Sequence, residues 1–311
     1  MKAEVAFARS TRELPVRRAV ARQSGQLSLL VVVAALTFFL TAPGSEAQNL
    51  NWEGQTGAFV TPFAYTSASP TNGFGQPAVS FHYLNGGEVI GGLYQASATV
   101  GFLKRFEAGY THSFNSAGST DGLSPLFEGG FNIFHAKANL LRENVWKHNL
   151  LPAVSVGFVA RTQVRHVGGV INGQDTTNGD IYLVATKTIT QIKWLPIVAN
   201  GGIQTTDAAV LGIAGNAPSW QGRGFGAVGF VLPGPKSKLV VGSEAAQEPH
   251  HIQGLPGATL PTTLTYFVRV LPLTERPLNI DFGVAQAASY VLPTADIKAR
   301  AQFAFGISYR F

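Results

Sequence analysis

The sequence predicts an all-β protein, a transmembrane antiparallel up-and-down β-barrel of about twelve strands preceded by a cleaved signal peptide. Three observations indicate this fold. Apolar residues alternate with small or polar ones, the N-terminus is basic and then apolar, and short turns alternate with long loops. Because strand side chains alternate between two faces, a barrel wall needs apolar residues only at every second position.

The C-terminal segment shows the alternation most clearly. Phe303, Phe305, Ile307, Tyr309 and Phe311 fall on one face of a strand, and small or polar residues fall on the other. This closing strand resembles the C-terminal aromatic signature of bacterial outer-membrane proteins. The resemblance implies that Phe311 is an assembly signal and that the barrel assembly machinery is a partner.

The N-terminus predicts export. Six basic residues lie within 1–26, the apolar core 27–42 follows, and the small residues Ser45 and Ala47 fit a cleavage site before Gln48. The alternative is an uncleaved anchor, but this core is shorter than the ~20 apolar residues that span a bilayer. We expect a signal peptide over 1–47, export through the Sec pathway and residence in the cell outer membrane.

Composition narrows the function classes. Removing residues 1–47 takes away six of 23 basic and three of 17 acidic residues, so the net charge falls from +6 to +3. The basic character belongs largely to the leader, so we expect no nucleic-acid partner. The absence of cysteine excludes a disulfide scaffold and a thiolate metal site.

The alternating segments give the topology. Counted back from Phe311, the predicted strands are 297–311, 277–287, 262–273, 237–247, 220–232, 195–206, 179–190, 150–165, 126–141, 105–115, 92–103 and 77–85. Short polar turns, such as Lys104-Arg105, alternate with long loops such as 166–180, 207–219 and 247–261. An even number of strands with loops of unequal length is typical of bacterial outer-membrane barrels, and ten or fourteen strands also fit.

The segment 56–65 (TGAFVTPFAY) is an ambiguous element. A thirteenth strand would break the even count, and Pro62 disfavours a central strand. We therefore assign residues 48–76 to the periplasmic mouth or the lumen, as a short plug or latch. Residues 77–311 form the barrel domain.

The stretch 54–65 (GQTGAFVTPFAY) resembles the opening of a broad group of uncharacterised bacterial outer-membrane barrels, which includes exopolysaccharide-associated ones. The hairpin 100–110 (VGFLKRFEAGY) and the strand 180–187 (DIYLVATK) resemble segments of the same group. The resemblance implies an outer-membrane barrel of the twelve-strand class in contact with lipids and lipopolysaccharide. It brings no catalytic residue with it.

Candidate chemical motifs have simpler interpretations. The run Gly224 to Gly229 is a literal G-x-G-x-x-G, but it lies inside a predicted strand and lacks the helix that a dinucleotide site needs. We expect no cofactor.

Two loop clusters offer metal ligands, but neither has the spacing or the supporting partners of a metal site, so we expect no metal. They are Glu248, His250 and His251, and Asn172, Asp175, Asn178 and Asp180. Ser80, His82 and His112 are candidate hydrolytic groups that no pattern links, so we expect a non-enzyme.

Charged residues inside the strands are the candidate functional set. A cation at mid-membrane on the lipid face costs about 2–4 kcal/mol, so these side chains should line the lumen. The candidates are Glu107, Arg161, Lys187, Glu244, Arg269, Asp281 and Arg310.

Two interpretations of the charged set remain open. The lumen is filled, with Arg–carboxylate ladders bracing the wall, or it is a water-filled pore whose charges tune selectivity. We predict a narrow pore for small polar solutes, in which a neutral residue at Arg269 leaves folding largely intact and shifts selectivity toward cations. The alternative is a structural or accessory role in envelope or exopolysaccharide biogenesis.

Overall fold

The barrel wall is an antiparallel sheet that closes on itself. The computed structural model describes residues 49–119, 128–145, 150–164, 176–192, 194–234, 237–260, 262–272, 277–286, 291–292, 295–296 and 302–311. Within these ranges twelve strands pair with their chain neighbours, and the first pairs with the last, from Ala78 opposite Arg310 to Leu84 opposite Ala304. The predicted fold class and strand number are confirmed. The predicted signal peptide lies outside the described residues.

The wall strands occupy the predicted alternating segments. In chain order the strands are β1 Ala78–Asn85, β2 Gly92–Phe102, β3 Phe106–Asn115, β4 Gly129–Leu141, β5 Ala153–Val164, β6 Thr176–Ile189, β7 Ile197–Ala208, β8 Asn216–Pro233, β9 Lys238–Ala246, β10 His251–Ile252, β11 Leu255–Thr259, β12 Thr263–Leu271, β13 Leu278–Gln286, β14 Val291–Leu292, β15 Ala295–Asp296 and β16 Gln302–Arg310. The pairs β10–β11 and β14–β15 form small separate sheets, and one helical turn, α1 Gly87–Ile90, connects β1 to β2. Among the described residues no helix is long and apolar enough to span a membrane.

Two connections differ from the prediction. The β2–β3 turn contains residues 103–105, one more than expected, and Leu103 and Lys104 have φ values of 55° and 56°. Left-handed turn residues match the right-handed twist of the flanking strands. The predicted loop 207–219 is limited to 209–215, because β8 begins at Asn216 and pairs there with Ala208.

The two faces of the wall have opposite chemistry. Most inward positions are buried, and many of them are polar or charged. Outward positions carry large exposed apolar side chains around the barrel, including Phe134, Phe158, Ile181, Ile203, Phe230, Tyr266, Phe282 and Phe303. A continuous apolar exterior is the lipid-facing surface of a transmembrane barrel.

Glycines on the inner face make room for rings. Five inward glycines lie directly opposite a ring on the neighbouring strand: Gly109 with His135, Gly157 with Tyr182, Gly202 with Phe225, Gly242 with Phe267, and Gly306 with His82. A Cβ at any of them would lie 2.5 Å or less from a ring atom. These rings therefore occupy the volume that a side chain would take beside the wall.

Candidate functional site: a lumen filled by the N-terminal segment

The first part of the described chain fills the barrel. We call residues 50–67 the plug, and every residue from Leu50 to Pro62 is buried. The plug folds back on itself through isolated bridges between Leu50 and Thr56 and between Gly57 and Pro62. It adds no strand to the wall.

Local sequence explains the shape of the plug. The Oδ1 atom of Asn51 accepts the N–H groups of Glu53 and Gln55 at 3.1 and 2.8 Å, and its Nδ2 donates to the Val60 carbonyl at 2.8 Å. Asparagine side chains stabilise such backbone turns. A Cβ at Gly57 would lie 2.5 Å from the Thr61 carbonyl oxygen, so this position needs glycine.

Glu244 on β9 is a principal acceptor for the plug. Its carboxylate accepts the N–H groups of Phe59 and Val60 at 2.9 Å, the N–H of Thr61 at 2.6 Å and the Thr61 hydroxyl at 2.8 Å. Consecutive backbone N–H groups directed at one anion form a nest. Each hydrogen bond to a charged group contributes about 1.5–3 kcal/mol, so Glu244 is a strong anchor.

Glu107 on β3 and Lys137 on β4 form a second anchor. These cross-strand neighbours lie 3.1 Å apart, Oε1 to Nζ, and both side chains are fully buried. Glu107 also accepts the N–H groups of Thr56 at 2.9 Å and Ser67 at 2.6 Å, and Lys137 donates to the Thr56 carbonyl at 3.0 Å. The pair therefore braces the wall and binds the plug.

Arg269 on β12 and Asp281 on β13 form a third anchor. The guanidinium binds the carboxylate through Nε–Oδ1 at 2.6 Å and Nη2–Oδ2 at 2.9 Å. Arg269 also donates to the carbonyls of Gly57 and Ala58 at 3.3 and 3.1 Å. Because its loss would leave Asp281 buried without a cation, a neutral residue at Arg269 should destabilise the barrel, in contrast to the expectation from the sequence.

Arg161 on β5 lies between two carboxylates. Its Nη2 is 2.6 Å from Asp180 Oδ2 on β6 and 2.6 Å from Glu53 Oε1 on the plug. The guanidinium is fully buried, and it is shared between one carboxylate of the wall and one of the plug.

Sequence reasoning missed several wall side chains that bind the plug or its anchors. Lys137 and Asp180 are charged residues inside alternating strands, so the sequence could have identified them as lumen residues. Neutral partners carry no comparable signal. They are Thr186, which accepts the Ala64 N–H, Asn139 and Asn200, which donate to the carbonyls of Ala64 and Pro62, and Tyr182, which donates to Gln55 Oε1.

A loop between β7 and β8 lies against the plug, at the end of the strands opposite the β2–β3 turn. In the segment 209–215, Ala209 is fully buried, and Leu211 and Ile213 pack against the buried cluster that contains Phe59. Val210 and Leu211 have φ values of 49° and 55°, a strained conformation for such residues. The loop is held by Glu248, whose Oε2 accepts the Val210 N–H at 3.0 Å.

Glu248 is a buried carboxyl outside the strands. Burial raises its pKa to about 7, and hydrogen bonds from the Thr263 hydroxyl and the Val210 N–H oppose the rise. A cavity of about 30 Å³ lies among Glu248, the loop, the plug and the wall, which is room for about one water molecule.

The structure brings most of the predicted lumen residues to the plug, with one error. Lys187 lies on the outward face of β6, in the register of Ile181 and Leu183. There its Nζ is 3.1 Å from Glu143 Oε1 in the turn after β4. The prediction that Lys187 lines the lumen is wrong, because a lysine near a strand end reaches the polar edge of a membrane from the outer face.

The last two predicted residues, Arg310 and Phe311, lie at the C-terminal end of β16. Arg310 is inward and buried. Phe311 donates its N–H to the Pro77 carbonyl at 3.1 Å, and its ring lies 5.3 Å from that of Tyr309. The role of Phe311 in assembly stays a prediction.

The other candidate groups do not converge. Ser80 and His82 are buried on the inner face of β1, whereas His112 lies on the outer face of β3 beside Asn132. The glycine-rich run 224–229 lies within β8, as predicted.

The metal-ligand candidates have other partners. Asp180 binds Arg161, Asn178 donates to Asn216, and Glu248 points to Val210 and Thr263. Asn172 and Asp175 lie outside the described residues. Among the described residues no group of three His, Asp or Glu side chains is arranged to hold a metal ion.

Comparison with known proteins gives a family. A search of the curated proteins found no match to this sequence. The solved structures similar to this chain include the NanC porin, at 9% identity and a TM-score of 0.44, covering 76% of this chain and 100% of the other. An outer-membrane channel from Pseudomonas putida F1 is similar at 11% identity and a TM-score of 0.43, covering 80% of this chain and 98% of the other. The family model described as "Protein of unknown function (DUF3034)" matches residues 48–266, and the chain belongs to that family.

Proposed function

We propose that this protein is a non-enzymatic outer-membrane pore for small polar solutes, and that its plug closes the pore. The observation that carries the proposal is the pairing of wall charges with the plug. Glu244 lies on the wall, yet the four hydrogen-bond donors described above all belong to plug residues 59–61.

A wall of this chemistry suits a wet lumen. If the plug left, Glu107, Lys137, Arg161, Glu244 and Arg269 would remain on the inner face. Glu244 would then lose all four of its donors, and the ion pairs Glu107–Lys137, Arg161–Asp180 and Arg269–Asp281 would lose their bonds to the plug. Charged groups that lose hydrogen bonds are stable only in contact with water, so the emptied barrel would hydrate. A scaffold barrel could instead fill its lumen with apolar wall residues.

The width of the wall is consistent with this role. Eight-stranded barrels are filled by side chains, and sixteen-stranded ones leave an aqueous channel. Twelve strands enclose enough space for a folded segment of the chain itself. Passage through the lumen therefore requires the plug to move.

The outer face of the barrel wall supports a location in the outer membrane. The apolar outer face and the short turns at one end support an outer-membrane location with the short turns facing the periplasm. Export through the Sec pathway, contact with lipopolysaccharide and assembly by the barrel machinery are part of the same proposal.

The test is conductance in planar bilayers. We would compare the mature chain, Glu244→Ala and a chain lacking residues 49–67, with Lys187→Gln as a control for a charged strand residue on the outer face. We expect Glu244→Ala to open more often than the mature chain, the shortened chain to stay open, and the control to match the mature chain.

Folding of each variant is checked by heat-modifiable migration on gels. If a folded barrel without its plug shows no conductance, the pore proposal fails. An accessory role in envelope or exopolysaccharide biogenesis would then be the better explanation.

A further inference from the structure

A groove runs along the lipid-facing side of β4. It has a volume of about 410 Å³ and is lined on the outside by Phe102, Phe106, Ala136, Ala138, Val156 and Phe158. The two alanines form its floor, because Ala138 pairs with Phe106 and Val156, and Ala136 pairs with Phe158. The groove is therefore a depression between bulky side chains on a surface that faces acyl chains.

One end of the groove is basic. Arg105, in the β2–β3 turn, donates from Nη1 to the carbonyls of Asn139 and Leu140 at 3.1 and 3.2 Å, directly beyond Ala138 on β4. Lys104 and Arg142 are exposed beside it. The nearby carboxylate of Glu143 is paired with Lys187 at 3.1 Å. A fixed guanidinium therefore lies at the short-turn end of an apolar groove.

We propose that this groove binds an anionic glycerophospholipid of the periplasmic leaflet. One acyl chain lies over Ala136 and Ala138, and the phosphate lies beside Arg105. Charge complementarity selects the headgroup, since basic residues at a membrane surface attract anionic lipids and a guanidinium binds phosphate oxygens well. The proposal requires the short-turn end to face the periplasm, and it does not require the barrel to conduct.

Two other occupants fit less well. Two barrels in one membrane are related by rotation about its normal, so a second copy seated in this groove would bring like ends together. The basic clusters of Lys104, Arg105 and Arg142 would then repel each other. Lipopolysaccharide is the second alternative occupant. It lies in the outer leaflet, whereas the basic end of the groove lies at the periplasmic leaflet.

The test is native mass spectrometry of the full mature protein in detergent, titrated with palmitoyl-oleoyl phosphatidylglycerol or with the matching phosphatidylcholine. We expect one phosphatidylglycerol to be retained preferentially. The double variant Ala136→Phe with Ala138→Phe fills the groove and should abolish this retention. Arg105→Gln should weaken phosphatidylglycerol retention roughly fivefold, which corresponds to about 1 kcal/mol, and weaken phosphatidylcholine retention less, because the choline ammonium offsets the charge of its phosphate.

Two control positions lie across the barrel from the groove. Ala245 is an outward alanine of β9, and Lys238 is an exposed lysine at the same end of the strands as Arg105. Ala245→Phe and Lys238→Gln should retain the lipid as the wild-type chain does.

Some outcomes would overturn the proposal. Unchanged retention in the filled variant places the lipid elsewhere, and equal loss in the Lys238→Gln control means that binding is diffuse. A dimer that the alanine-to-phenylalanine changes dissociate identifies a second copy as the occupant. Arg105→Gln does not alter groove packing, so it tests the headgroup contact even if the filled variant fails to fold.

Discussion

Arg161 on the wall and Glu53 on the plug are joined by a buried ion pair, with Nη2 2.6 Å from Oε1. Asp180 binds the same guanidinium at the same distance. When the plug leaves, Arg161 therefore keeps one counter-charge, whereas Glu53 loses its cation. The contact ties the position of the plug to a charge inside the wall.

Glu53→Gln should loosen the plug without disrupting the barrel. The amide keeps an acceptor for Arg161 but loses the charge, and a hydrogen bond to a charged group contributes about 1.5–3 kcal/mol. We expect faster hydrogen exchange at the backbone amides of residues 50–61 and more frequent channel openings. Lys187→Gln is the control, and equal exchange rates in both variants would contradict the role given to Glu53.

Arg269→Gln should destabilise the barrel, whereas Arg269→Gln with Asp281→Asn should recover most of the loss. Removing one partner of a buried ion pair costs about 3–5 kcal/mol, because the remaining charge has no counter-ion. Urea unfolding of Arg269→Gln, Asp281→Asn and the double variant in detergent measures the coupling energy between the two side chains. Additive losses would show that the two side chains act independently.

The loop 209–215 should be held more tightly at pH 5 than at pH 8. The folded-state pKa of Glu248 is raised to about 7, so the folded chain binds a proton more readily than the unfolded chain between the ordinary value of 4.5 and 7. The favourable contribution is complete below about 4.5 and is lost as the pH rises through 7. Hydrogen exchange at Val210 should therefore accelerate with pH beyond its intrinsic dependence, and Glu248→Gln should remove the excess.

Gly242→Ala should destabilise the barrel by displacing Phe267. The new Cβ would lie 2.5 Å from the phenyl Cζ, and overpacking of this kind costs about 1–3 kcal/mol. Gly222→Ala on β8 is the matched control, since no atom lies within 4 Å of its added Cβ. A control as unstable as Gly242→Ala would attribute the effect to the loss of glycine rather than to the ring.

Deleting Phe311 should reduce assembly into the outer membrane while the purified chain still folds in detergent. The reason is the terminal aromatic signature, and the loss of one backbone hydrogen bond to Pro77 is a small structural change. Levels of heat-modifiable barrel in membrane fractions, compared with refolding yields, separate the two effects. Normal membrane levels would exclude Phe311 as the assembly signal.

The amino-acid sequence by itself determined the wall. Strand alternation has a period of two residues, so a short window is enough to place Phe303 and Phe305 outside and Glu107 inside. Lys187 was assigned to the lumen from its charge alone. Its position relative to Tyr182 and Val184, which face inward on the same strand, places it on the outer face.

The tertiary structure alone decided what the inward charges bind. Glu244 and Thr61 are 183 residues apart in the chain, and Arg269 and Gly57 are 212 apart. Such pairs have no local periodicity, because a backbone N–H that reaches a carboxylate is present in every residue of every sequence except proline. The contrast between an open lumen and a plugged one depends on where a short irregular segment lies once the barrel has closed around it.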